Sequence, residues 1–203
     1  MKKYEVIYAD PPWPYKDKAQ AGNRGVEFKY PVMTEKQIKD LQVDRLCAEN
    51  CVLFMWCTPP RMPLAFEVLR AWGFTYKTIA FTWVKTRSEG KLHWGMGNWT
   101  RANAEHVLLG VRGKPRRIDA GVHSVVMSEL RKHSEKPPEV RDRIVQLIGD
   151  VPRIELFARV KPIDWDTWGD QVENDIELVQ RADALGVMDG RVDETPRPFG
   201  QGK

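Results

Sequence analysis

Long apolar runs are missing from this chain. No stretch approaches the roughly 20 apolar residues that a membrane helix needs, so no membrane span or membrane partner is expected. The basic start, Met1-Lys2-Lys3, is followed by Tyr4-Glu5-Val6-Ile7-Tyr8-Ala9-Asp10 rather than by a long apolar stretch, and so does not read as a secretion signal. Cysteine is scarce. Cys47, Cys51 and Cys57 are too few and too crowded for a disulfide framework, and their spacing fits no common zinc site. They sit in or beside an apolar strand and read as buried thiols of a cytoplasmic protein in a reducing compartment. The four histidines, His93, His106, His123 and His133, share no spacing that suggests a general base. Internal repeats are absent.

What is present suffices for a core. Of 203 residues, 42% are hydrophobic and 10% aromatic. That excludes disorder throughout, because disordered chains lack the apolar surface to offset chain entropy. The length implies one domain, at roughly 100–200 residues each. It is expected over 1–188, with a Pro/Gly-rich polar tail, 189–203, expected to be disordered. The net charge of +4 is uneven: 12 basic and 9 acidic residues over 1–83, 16 and 9 over 84–161, and 4 and 10 over 162–203. A basic middle suits a polyanionic partner. Within it, Lys114, Arg116 and Arg117 cluster in one apparent loop, where they would track phosphates.

Short apolar or β-branched runs predict strands at Tyr4–Ala9, Cys51–Cys57, Thr75–Lys85, His106–Val111, Ser124–Met127 and Arg153–Ala158. Near-continuous runs such as Val52-Leu53-Phe54-Met55-Trp56 suit strands covered on both faces. Helices are predicted between them. Thr34-Glu35-Lys36-Gln37 has capping-box spacing ahead of Ile38 and Leu41. Arg61–Trp72 repeats its apolar positions at helical spacing and stops at Gly73. Pro137–Ile148 opens with prolines and carries Val140, Ile144, Leu147 and Ile148 on one face. A last helix is predicted over Val172–Leu185. This alternation argues for an α/β sandwich around a mostly parallel sheet. Pro14–Lys29 and Gly90–Trp99, both glycine-bearing, are expected to be mobile loops, the first closing over the substrate with Tyr30 at its hinge.

Asp10-Pro11-Pro12-Trp13 directly follows the first strand. In an open α/β sheet the ligand crevice lies beyond the carboxyl ends of the strands. Two prolines fix φ and remove two amide donors, which leaves stiff carbonyl acceptors. Asp10 adds a carboxylate and Trp13 a flat stacking surface. Together they suit a planar ring bearing an exocyclic amino group, which offers two donors. A bare turn with a capping Asp is the simpler reading of Asp-Pro-Pro alone, and Trp13 shifts the balance. A second Pro-Pro, in Thr58-Pro59-Pro60-Arg61, lacks the carboxylate and the aromatic and reads as a rigid connection.

Asp-Pro-Pro-Trp resembles the catalytic motif of the MT-A70 family of adenine-N6 methyltransferases. The resemblance runs from about Tyr4 to Val172. It takes in Tyr30-Pro31-Val32-Met33-Thr34, Phe54-Met55-Trp56, Trp83-Val84-Lys85-Thr86, Glu105-His106, His133-Ser134-Glu135-Lys136-Pro137, Ile154-Glu155-Leu156-Phe157-Ala158-Arg159 and Trp168-Gly169-Asp170-Gln171. It implies a Rossmann-like methyltransferase with permuted motif order, the catalytic strand first and the cofactor strand late. The implied cofactor is S-adenosylmethionine, with no metal. The implied catalytic residues are Asp10, Pro11, Pro12 and Trp13. The implied cofactor residues are Asp10, Lys136 at the carboxylate, Glu155 at the ribose or its loop with Phe157 and Arg159, and Gly169, Asp170 and Gln171 near the adenine. The family commonly has Asn where this chain has Asp170, which cannot offer an amide donor. On the substrate side the resemblance points to Trp13, Tyr30, Trp56, Trp83, Lys85, Trp99 and Glu105. Trp56 and Trp83 read equally well as core aromatics.

The implied partner is nucleic acid, with DNA favoured over RNA and the target adenine flipped out or single-stranded. Both a homodimer and a heterodimer are compatible with the sequence. Two rivals stand beside this reading. One is a non-catalytic nucleic-acid-binding subunit, against which the intact Asp10 and Lys136 argue. The other keeps the fold but modifies cytosine-N4 or a protein glutamine, where related enzymes usually carry Ser in place of Asp10, or Asn and Tyr around the prolines.

Overall fold

The computed structural model describes residues 2–14, 33–97, 99–131 and 135–181. Tyr30, the Pro14–Lys29 loop beyond Pro14, His133 and the 189–203 tail therefore lie outside the described residues. Among the described residues seven strands form one sheet: β1 (Tyr4–Ala9), β2 (Cys47–Cys57), β3 (Thr75–Thr86), β4 (Ala104–Arg112), β5 (Val125–Glu129), β6 (Arg153–Leu156) and β7 (Asp166–Trp168). Their order across the sheet is β5-β3-β4-β2-β1-β6-β7. Every neighbouring pair is parallel except the two that β4 makes, so six strands point one way and β4 runs against them. Among the described residues α1 (Glu35–Asp40), α2 (Met62–Ala71) and α3 (Glu139–Ile148) cover the sheet. None is long and apolar enough to cross a membrane.

Side-chain alternation sorts the core into two layers. Cys51, Leu53, Met55 and Cys57 of β2 face α1 and α2, where Ile38, Leu64, Ala65, Val68 and Leu69 meet them. Val52, Phe54 and Trp56 face the other way, with Val140 and Ile144 of α3. The three cysteines are buried and free. Burial, with the Glu105 carboxylate adding to it, pushes the Cys57 thiol up to about 12.

Local signals hold where they are local. Thr34 forms the expected capping box with Gln37, and Gly73 ends α2 in the left-handed region at φ 83°. Strand ends shift by a few residues, and β7 was not foreseen. β6 stops at Leu156 rather than Ala158 because Phe157 turns to φ 62° and leaves the ladder. The helix expected over Val172–Leu185 is corrected in its first part: residues 172–180 are bends and irregular chain, closed by a Gln180–Leu41 bridge, and among the described residues helix is reached only at Arg181. Asp175 accepts from the amide and hydroxyl of Thr167, and Asn174 accepts from the Gly169 amide. Short polar side chains that bond the backbone in this way compete with helix.

Candidate active site

The carboxyl ends of β1, β2, β3, β6 and β7 and the amino end of reversed β4 meet at one end of the sheet. Asp10 leaves β1 there. Trp56 stands near the end of β2, Lys85 near the end of β3, Glu105 near the start of β4 and Lys136 just ahead of α3. Trp83 pairs in register with Glu105 across β3 and β4, which puts Lys85 and Glu105 side by side.

Four charges form a chain in this crevice. The Lys136 ammonium lies 3.2 Å from Asp10 and 3.0 Å from Glu105, and Lys85 donates to the other oxygen of Glu105. Two tryptophans floor the chain. Lys136 sits 5.4 Å over Trp56 and Lys85 5.0 Å over Trp83, and the two rings meet edge to face at 6.2 Å. Burial disfavours each charge, and the balance differs by site. Glu105 faces two ammonium groups, which outweigh its burial and hold its carboxyl below the usual range. Lys136 is desolvated too, but Asp10 and Glu105 together keep it firmly protonated. For Asp10 burial wins: Lys136 and Arg159 pull its pKa down, Glu105 pushes it up, and the net shift is upward. The crevice thus holds a carboxylate of raised proton affinity beside a fixed cation.

The tetrapeptide closes on itself. The Trp13 amide donates to the Pro11 carbonyl at 2.8 Å, and the Met33 amide to the Pro12 carbonyl at 3.4 Å. A carbonyl oxygen has two lone pairs, so Pro11 keeps one acceptor site. Trp13 corrects the sequence reading. Its indole is only 5% exposed, packs in the core layer of α1 and α2, and donates from Nε1 to the Trp56 carbonyl at 3.0 Å. It anchors the turn rather than presenting an open face to a base. Trp56 and Trp83 are likewise buried core aromatics. They reach the crevice through the ring faces under the two lysines, because apolar strand positions that point into the sheet's packed layer leave no free edge.

Several of the residues that the resemblance assigns to a cofactor stand together at the ends of β6 and β7. Phe157, at its left-handed turn, packs edge to face on Trp168 at 5.3 Å. Gly169 touches the backbone of Ala158, and a Cβ there would lie 2.2 Å from its carbonyl oxygen. These two turns press together at the ends of β6 and β7. Arg159 is close enough to act on the charge of Asp10. Asp170 and Gln171 are exposed just beyond β7, two strand spacings from β1, about 10 Å along the sheet edge. Glu155, expected at the ribose or its loop, is held in an ion pair. Arg141 donates to both its oxygens, at 2.6 and 2.9 Å, because a carboxylate this buried needs a partner.

Arg141 was not singled out from sequence. Its signal is a basic residue beside the apolar stripe Val140/Ile144 of α3, opposite an acid on a buried strand. The pair joins α3, which begins just after Lys136, to β6. Arg141→Met is expected to lower stability by about 2 kcal/mol in urea unfolding, since it strands a buried carboxylate. Adding Glu155→Leu is expected to recover more than half of that loss, as removing both partners of a buried pair often does. Additive losses in the double variant would show that the two do not act as a pair.

The basic cluster is also relocated. Arg112 pairs with Cys51 inside β2, five residues from the Trp56 level at which Asp10 leaves β1, so Lys114, Arg116 and Arg117 emerge toward the opposite end of the sheet, at least about 17 Å away along the strands at about 3.4 Å per residue. Among the described residues the crevice end instead carries basic residues such as Lys85, Arg87, Lys91, Arg101, Arg131, Lys136 and Arg159, on the ends of β3, β5 and β6, the start of β4 and the lead-in to α3. Trp99 lies in the connection between β3 and β4 and is almost wholly exposed.

Comparison with known proteins agrees with this geometry. The MT-A70 family model matches residues 4–171. The chain is 37% identical over 197 residues to the type II methyltransferase M.MunI of a Mycoplasma species, covering 87% of this chain and 82% of that protein. It is 32% identical over 179 residues to the human N(6)-adenosine-methyltransferase catalytic subunit METTL3, covering 85% of this chain but 29% of that protein. The zebrafish METTL3 subunit matches at 32% over 191 residues, 31% of its length. With the motif at the carboxyl end of β1 and the match running through almost every element of the sheet, the chain belongs to the MT-A70 family of methyltransferases.

Proposed function

We propose that this protein transfers a methyl group from S-adenosylmethionine to the N6 amino group of adenine in nucleic acid, with DNA as the substrate. The observation that carries this reading is Asp10. Its carboxylate stands at the carboxyl end of β1, ahead of a proline-stiffened carbonyl, beside a lysine that both Asp10 and Glu105 hold.

The residues present fit the cofactor by the chemistry of the donor set. A methionine end offers a carboxylate and an ammonium, and the crevice offers the Lys136 cation between two carboxylates. A purine and ribose suit the turns at Phe157–Arg159 and at Gly169, Asp170 and Gln171. S-adenosylmethionine, when bound, supplies an electrophilic methyl group on a sulfonium. The protein's part is to make a poor nucleophile reactive. Asp10 accepts one N–H of the adenine amino group, and the remaining lone pair of the Pro11 carbonyl accepts the other. Both bonds draw the nitrogen lone pair out of the ring and stabilise positive charge as it develops. Lys136, pinned by Glu105, keeps the Asp10 carboxylate aimed into the crevice. Holding nucleophile and methyl carbon at near-attack distance supplies much of the rest. The proton then leaves to solvent.

DNA is favoured over RNA because identity is higher to the type II methyltransferase, 82% of which is matched, than to the enzymes named for the ribonucleoside, about three-tenths of which is matched. Labelled-cofactor assays on matched single-stranded DNA, duplex DNA and RNA, with mass spectrometry of the nucleosides, test both parts. N6-methyladenine in DNA is expected, with single-stranded or mismatched sites preferred, since flipping then costs less. RNA methylated at least tenfold faster than either DNA form overturns the DNA assignment. No N6-methyladenine in any of the three overturns the reaction.

A further inference from the structure

The connection between β3 and β4, described over residues 87–97 and 99–103, is tied down at its stem and at two glycines. Its stem is tied by backbone bonds: the Lys85 amide to the Asn103 carbonyl at 2.8 Å, the Arg87 amide to Lys91 at 2.7 Å and the His93 amide to Lys85 at 2.9 Å. Its two limbs touch at glycines. A Cβ on Gly95 would lie 1.9 Å from the Ala102 carbonyl oxygen, and one on Gly97 would lie 2.0 Å from that of Thr100. On this frame stand apolar side chains turned outward, Trp94 at 64%, Met96 at 96% and Trp99 at 99% exposure. The Arg101 guanidinium lies 4.7 Å over the Trp94 ring and steadies it.

We propose that Trp94, held by Arg101, is a stacking platform for a nucleobase flanking the target, on a loop that carries the single strand past the crevice. This rests on the nucleic-acid reading above and deepens it. Three observations choose the occupant. The loop springs from the β3 and β4 ends that hold Lys85 and Glu105, so it borders the crevice that takes the target base. Its charge is complementary to phosphate: Arg87, Lys91 and Arg101 against Glu89. It joins cations to open aromatic faces, the combination by which single strands are bound without sequence preference. The relocated basic cluster at 112–117 cannot serve this crevice directly, so the backbone next to the target must be met by another surface, and this loop lies there.

The test is the affinity of the whole chain for a labelled thymine-rich single-stranded DNA oligonucleotide with one central adenine, read by fluorescence anisotropy beside a methyl-transfer assay. Trp94→Leu keeps bulk and apolarity but removes the ring, and is expected to raise Kd about tenfold, within the range for loss of one base–aromatic stack. Trp94→Phe is expected to stay within about threefold of the parent. Arg101→Ala is expected to flatten the slope of log affinity against log salt by about 0.7, one single-strand phosphate. Parent-like affinity in Trp94→Leu overturns the proposal. So does an unchanged affinity coupled to a shift from dimer to monomer in sedimentation, which would make the loop a protein interface. If the parent binds the oligonucleotide through Trp94 yet methylates no adenine, the platform stands and the reaction falls. If it methylates while Kd ignores Trp94, the reverse holds.

Discussion

Asp10→Ala is expected to reduce methyl transfer at least about a hundredfold, the scale for removing one group that stabilises charge in a transition state, while leaving the fold intact. The side chain follows β1 rather than lying within it, and its loss also removes one of two carboxylates competing for Lys136, so no packing layer is opened. Near-parental methylation by this variant, measured with labelled cofactor, would remove Asp10 from the mechanism. The parent's pH profile carries the same information. Ionised Asp10 is the stronger acceptor for an amino N–H and the form whose charge stabilises positive charge developing on nitrogen. Its folded pKa lies above the ordinary aspartate value of about 4, with burial the largest cause. Activity is therefore expected to fall as pH drops through that raised value, earlier than an exposed aspartate would dictate. Glu105 adds to the upward shift and Lys136 opposes it. Glu105→Gln should therefore move the acid limb to lower pH.

Lys136→Met is expected to move the same limb to higher pH, the opposite sign, and to weaken binding of S-adenosylhomocysteine at least about thirtyfold in calorimetry, near the lower end for truncating a buried hydrogen-bonded charge. It leaves Asp10 and Glu105 facing one another with no shared cation. Stability is expected to drop by about 3 kcal/mol, the lower end for breaking a buried ion pair, since the side chains retain 14%, 22% and 12% exposure. Cofactor affinity unchanged beside a clear loss of stability would give Lys136 a purely structural place. Affinity lost with an unmoved pH limb would detach it from Asp10.

Sequence reading succeeded where the deciding interactions are short in range. The capping box at Thr34, the stop at Gly73, the apolar run of β2 and the stiff acceptor turn after β1 each depend on residues within a few positions of one another, so their chemistry is written contiguously. The convergence of Asp10, Lys136, Lys85 and Glu105 could be named from family likeness, but their order as a chain of alternating charge over two buried tryptophans comes from strand register. Trp13 shows the limit in one residue. Its aromatic face beside two acceptors reads as a stacking surface, and only the packed layer beneath β1 turns it inward to the Trp56 carbonyl. Glu155 shows it again, because the arginine that claims it lies 14 positions away on a helix across the sheet. Strand direction decided the most. β4 runs against its neighbours, so the segment before it, 87–103, emerges beside the crevice, and the segment after it, with Lys114, Arg116 and Arg117, emerges at the far end. Nothing in a strand's own residues marks which way its neighbours run, since alternation and β-branching are the same in either direction. That choice is made by the chain connections and the two packed layers together, and it determines which basic residues can meet a substrate at Asp10.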